Sequence, residues 1–179
     1  MKGIIAMGLA KSQAKEQAAS LLDRYCRDAA GAINLPIDPV EIARQIGVSV
    51  FDAELPPNVS GALRKEKGGV PAILLNVNDA PVRRRFTCAH ELGHYVDRVE
   101  TNENLDDYSY IDNRDGTSSL GTDPKEVFAN AFAAELLMPE ELVEQMIKGT
   151  TVIDMAAAFG VSAEAMKNRI SNYTSSAVG

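Results

Sequence analysis

Arg84-Arg85-Phe86-Thr87-Cys88-Ala89-His90-Glu91-Leu92-Gly93-His94 holds both histidines of a 179-residue chain. On a helix His90 and His94, four residues apart, leave the same face with Cβ atoms roughly 6 Å apart, so two imidazoles can share one metal ion. Glu91 points about 100° around the helix from His90, where a carboxylate reaches a water beside the metal without becoming a ligand itself. That is the position of a general base. Zinc suits the site best, because neutral imidazole is a preferred ligand and peptide hydrolysis needs no redox chemistry. Phe86, Ala89, Gly93 and Val96 supply the packing of this helix, and Gly93 lets another backbone or a substrate come close.

A catalytic zinc site needs a third protein ligand and leaves its fourth position to water. No third histidine exists, so the ligand must be a carboxylate. Glu100 stands where a metzincin carries its third histidine, but that pattern requires glycine at position 97, which is Asp97 here. Glu126 is better placed: along a second helix Glu126, Ala129, Asn130 and Ala133 share one face, and the small residues allow close approach to the histidine helix. Asn130, one turn on, is a candidate support behind the ligand. Asp123-Pro124-Lys125-Glu126 also reads as a helix start, with Asp123 as N-cap, Pro124 at the first helical position and Glu126 closing a capping box. Spacing alone leaves both readings of Glu126 open.

Outward from these two helices, helical spacing of Ala14, Ala18, Leu21, Leu22, Tyr25 and Cys26 predicts an amphipathic helix over residues 12–29. A short helix over 39–47 has Pro39 at its start and Gly47 at its end. Residues 48–51 alternate as a strand. Residues 61–64 and 72–77, joined by a glycine-bearing reversal at 65–69, predict a β-hairpin whose second strand is apolar enough to lie inside a sheet. Residues 100–123 are polar and acidic, with Asp106, Asp107, Asp112 and Asp115 against Arg114, and read either as a lid beside the site or as a solvated excursion. Helical segments over 124–137, 139–147 and 152–173 close the chain, the last broken at Gly160. Its 154–170 stretch has helix-turn-helix texture, with Ser162 as N-cap, but the second helix carries only Lys167 and Arg169.

The formal charge of −7 argues against general affinity for nucleic acid or anionic membrane. Direct nucleic-acid binding is therefore not expected. Residues 3–10 are apolar but too short for a signal peptide and lack a cleavage site; no run approaches the roughly 20 apolar residues of a membrane span. A cytoplasmic protein with no membrane partner is expected. Cys26 and Cys88 are too few for a disulfide framework and read as free thiols in helical segments.

Val59-Ser60-Gly61, the strand bearing Asn76, the histidine motif and the run from Glu126 through Asn130 and Glu135 to Pro139 together resemble the ImmA/IrrE family of bacterial and phage metallopeptidases. The resemblance covers roughly residues 15–147. It implies one zinc ion per chain held by His90, His94 and Glu126, with Glu91 as the catalytic base. It also implies a protein substrate, a helix-turn-helix repressor or antitoxin, because some members cleave such a repressor and others occur in toxin–antitoxin settings. Cys88 stands where many relatives have an apolar residue, a modest departure that puts no ligand in doubt. The expected fold class is α+β: a small sheet or hairpin packed on the active-site helix in a gluzincin-like core, with helical N- and C-terminal parts. Residues 1–147 form the peptidase domain and 148–179 a helical extension packed on it. In related zinc peptidases an edge strand pairs with extended substrate, and the 61–77 hairpin is expected to offer that edge. Tyr95, Tyr108 and Tyr110 are candidate oxyanion donors by proximity in sequence.

Overall fold

Ala10, Ala14, Ala18 and Leu22 are buried and recur every fourth residue, so they form one stripe along helix α1 (Lys2–Tyr25). That stripe lies against helix α4 (Pro124–Leu137). The computed structural model describes residues 2–101, 103, 107–113 and 123–176. Helix α1 starts well before the predicted residue 12 and ends before residue 29. Its end is set by Asp28, whose carboxylate accepts the N–H groups of Ala30 and Ala32 at 2.9 Å each and bends the chain away from the helical path. Helix α2 (Pro39–Gln45) begins where Asp38 accepts the Val40 N–H and ends near Gly47, in the left-handed region at φ 84°.

Four strands form one sheet in the order β1-β3-β2-β4: β1 (Ser49–Ala53), β2 (Val59–Lys65), β3 (Ala72–Asn76) and β4 (Tyr108–Asn113). Strands β2 and β3 are the predicted antiparallel hairpin, with Gly61 opposite Leu75 and Leu63 opposite Ile73. Parallel pairing of β1 covers the far side of β3, and antiparallel pairing of β4 covers β2. Both hairpin strands are therefore interior, which corrects the expectation that the hairpin offers a free edge. The edges are β1 and β4. Strand β4 lies within the stretch read as a loop, while Asp106, Arg114 and Asp115 of that stretch lie outside the described residues, and with them the lid reading. Asn76 explains its place in the motif set: its Nδ2 donates to the Val59 carbonyl at 2.7 Å and its Oδ1 accepts from the Asn78 N–H at 3.1 Å, fixing the entry to β2.

Helix α3 (Pro81–Glu100) is clasped between β2 on one side and α4 on the other. Two glycines permit this. A Cβ at Gly61 would collide with the Thr87 side chain and stand 2.9 Å from the Leu74 carbonyl oxygen; one at Gly93 would stand 2.9 Å from the Ala129 Cα. The remaining helices are α5 (Glu140–Ile147), α6 (Val152–Phe159) and α7 (Ala163–Ser176). Gly160 terminates α6 in the left-handed region at φ 65°, and Ser162 Oγ accepts the Ala165 N–H at 3.1 Å, as its N-cap reading predicts.

Two arginines fasten this C-terminal pair. Arg85 of α3 donates to the carbonyls of Ile37 at 2.6 Å and Gly160 at 3.0 Å. From α7, Arg169 donates to the Met138 carbonyl at 3.0 Å and pairs with the Glu135 carboxylate. The result is the expected α+β class. No helix among the described residues is long and apolar enough to cross a membrane.

Gly93→Ala is expected to lower stability by about 1–3 kcal/mol through overpacking against Ala129, even though alanine favours an isolated helix by about 1 kcal/mol. Urea unfolding of the two proteins measures it; an unchanged or raised midpoint would show that the helices can separate at no penalty.

Candidate metal centre

Three donor atoms converge where α3 crosses α4. His90 Nε2 and His94 Nε2 lie 3.1 Å apart, His94 Nε2 lies 3.2 Å from Glu126 Oε1, and His90 Nε2 lies 3.5 Å from Glu126 Oε2. Metal–ligand bonds of about 2.0–2.1 Å in a tetrahedral shell place neighbouring ligands about 3.3 Å apart, close to each of these separations. Two imidazoles and one carboxylate are also a donor set suited to zinc. Both histidines are 4% exposed, which leaves little water to solvate an ion from their side. Among the described residues, these three form the group able to hold a metal.

Burial alone would raise the Glu126 carboxyl pKa, but hydrogen bonds from His90 and His94 outweigh it and hold the group down at about 2. Glu126 is thus held in its carboxylate form, as cation binding requires. Asp123 caps α4 by itself, accepting the Lys125 N–H at 3.0 Å, with Pro124 at the first position. The N-terminal reading of this segment is right for Asp123 and Pro124, while the Glu126 side chain turns to the histidines. Glu100 is exposed at the C-terminal end of α3, outside the cluster.

Glu91 is fully buried on the flank of α3 that faces β2, with its Cγ near the space left by Gly61. His90 stacks with Phe86, ring centroids 6.2 Å apart, and His94 lies parallel to Tyr110 at 5.0 Å. The Tyr110 hydroxyl accepts from Arg98, which pairs with Glu103 at 3.2 Å; Glu103 in turn accepts from Lys125 beside Glu126. A charged chain thus runs from the start of α4 to the ring braced against His94. Sequence reasoning missed Arg98. Its position four residues after His94, on the same helix face, was the available signal. Of the three candidate tyrosines, Tyr110 reaches the histidines. Tyr108 is buried under the Arg98 guanidinium, 4.5 Å from its ring centroid, and Tyr95 stacks on neither histidine among the described residues. Asn130 makes no hydrogen bond to Glu126 among the described residues and instead lines a cavity beyond His90, which corrects its reading as a support.

The family model described as the IrrE N-terminal-like domain matches residues 43–171, running through α6 and most of α7. Uncharacterized immunity region protein 2 of Bacillus phage phi105 is 33% identical over 129 residues, covering 71% of this chain and 75% of that protein. Among solved structures, a Mycobacterium tuberculosis transcriptional regulator superposes with a TM-score of 0.56 at 17% identity, over 89% of this chain. The chain spans about half, 46%, of that regulator's length, and the likeness is one of fold.

Neither cysteine joins the cluster. Cys88 is buried in α3 behind the histidines, and burial pushes its thiol up to about 12; half-buried Cys26 is shifted in the same direction by burial. A thiol raised that far holds almost no thiolate at pH 8, so Cys88 is expected to resist iodoacetamide there in the native protein and react on unfolding. Peptide mapping by mass spectrometry checks this, and rapid native alkylation of Cys88 would contradict its burial.

Proposed function

Because this chain belongs to the IrrE N-terminal-like domain family, we propose that it is a zinc-dependent endopeptidase acting on a protein partner, a helix-turn-helix repressor or antitoxin. The observation that carries this reading is the convergence of His90, His94 and Glu126 at tetrahedral-edge spacing with Glu91 buried beside them. In this reading His90, His94 and Glu126 hold the zinc ion. When bound, the ion supplies Lewis-acid polarisation of a carbonyl group and makes water more acidic. Glu91 takes a proton from the attacking water on its carboxylate and returns it to the nitrogen of the leaving amine, so the peptide bond gains one water and the carboxylate is restored. Phe86 and Tyr110 hold the two imidazole rings from either side.

Substrate approach follows from the sheet. The outer edge of β4 has no strand partner among the described residues, and Tyr110 of this strand touches His94. An extended peptide adding to β4 would lie alongside the metal ligands, with main-chain hydrogen bonds supplying sequence-independent grip. The likeness to a phage immunity region protein and to a mycobacterial transcriptional regulator supports a partner in a repressor system. Direct DNA reading by α6 and α7 is disfavoured: Arg169, one of the two cations on the second helix, is engaged with Glu135 and the Met138 carbonyl and is not offered to phosphate.

Glu91→Gln is expected to keep one zinc per chain and to cut a cognate repressor at least about 100-fold more slowly. Glu126→Ala is expected to lose tight zinc. Metal analysis after dialysis and gel-resolved cleavage measure both. Full proteolysis by Glu91→Gln would remove Glu91 as the base, and stoichiometric zinc in Glu126→Ala would move the third ligand elsewhere.

A further inference from the structure

One turn from the metal ligands on each helix, the structure opens a cavity of about 460 Å³. Phe86, whose ring stacks on His90, forms one wall, and Asn130, one turn after Glu126, forms another. A helical turn is about 5.4 Å and an extended residue spans about 3.3–3.6 Å, so the cavity begins within roughly two residue-lengths of the ligand set. Its volume lies within the range of sites that enclose a small organic group. Met138, Val161 and Ala165 add apolar surface, and Asn168 stands at the rim with Ala165 on one stripe of α7.

The lining selects the chemistry of the occupant. Two arginines border the cavity, but Arg169 is committed to Glu135 and the Met138 carbonyl, and Arg83 Nε donates to Ser60 Oγ at 3.2 Å. An acidic group would therefore have to compete for cations already paired. The carboxamides of Asn130 and Asn168 make no hydrogen bond among the described residues and offer both donors and acceptors, as a peptide backbone requires. We infer that this cavity is a specificity pocket, taking a large apolar side chain next to the scissile bond of a polypeptide substrate while Asn130 and Asn168 hydrogen-bond its backbone. The inference rests on the peptidase reading and extends it: α7 becomes a selecting wall of the site, built by the helix-turn-helix-like segment.

Two arms test it on the full chain. In the first, N-acetyl-leucinamide and N-acetyl-glutamate are titrated into nitrogen-15-labelled protein; the side-chain amide signals of Asn130 and Asn168 are expected to shift with the leucine probe and not with the glutamate probe. In the second, the zinc-loaded chain digests a peptide mixture, and mass spectrometry reads the residues flanking each cut. Wild type is expected to favour leucine, methionine or phenylalanine at one flanking position. Ala165→Phe, which fills the cavity, is expected to lose at least about tenfold in kcat/KM for those peptides while retaining alanine-bearing ones. Should Ala165→Phe not fold, Asn168→Ala is expected to weaken leucine-probe binding roughly 2–10-fold. An unshifted pair of amide signals, or an unaltered side-chain preference in folded Ala165→Phe, overturns the pocket. If the zinc-loaded wild type cuts no peptide at all, the peptidase reading fails, and the titration still decides the cavity.

Discussion

The close crossing of α3 and α4 at Gly93 and Ala129 is the contact on which the rest of the molecule depends. With no side chain at Gly93, the α4 backbone comes near enough for Glu126 to reach both imidazoles from the neighbouring helix. Gly61 does the same on the opposite flank, where β2 presses over Thr87 and Glu91. Helix α3 is thereby enclosed on two sides and carries His90, Glu91 and His94 into the interior. Isolated buried charges are costly, so such a trio is stable only when each group faces a partner or an ion. Phe132, Leu92 and Leu136, all fully buried around the crossing, supply the apolar burial that holds these polar groups in place.

Away from that crossing, arginines rather than apolar contacts join the outer elements to the centre. Arg85 spans from α3 to the carbonyls at Ile37 and Gly160, and Arg169 spans from α7 to Met138 and Glu135. A guanidinium offers several donors in a fixed plane, so one side chain can satisfy carbonyls from separate segments. Burial lowers the Arg85 pKa, an effect partly offset by the nearby Asp38 carboxylate. These ties explain why an acidic chain keeps some of its few cations inside.

Much of this architecture is written in local patterns. The i, i+4 histidines, the Asp38, Asp123 and Ser162 caps, the left-handed Gly160 and the β2–β3 hairpin each follow from residues close in sequence. Glu126 was different: spacing gave it two local readings of equal merit, and only the packing of one helix on another brings its carboxylate to His90 and His94. Strand β4 was hidden because its neighbours are acidic and its pairing partner lies far back in the chain, although Tyr108, Tyr110 and Ile111 carry the aromatic and β-branched character of a strand. The interior position of the hairpin was invisible for the same reason, since it depends on β1 and β4 arriving from either side. Asn130 looked like a ligand support by spacing. It lines the cavity instead.

Strand β4 is both the margin of the sheet and the brace of a donor ring, through Tyr110 on His94. The strand is also held by its pairing to β2, by the Arg98 contact to the Tyr110 hydroxyl and by Tyr108, buried under the Arg98 guanidinium. A strand added there that ordered this ring would itself be favoured by the ring's ordering, by the same free energy. Occupancy of the edge and the arrangement of the candidate donor set would then be linked variables, coupled through one tyrosine.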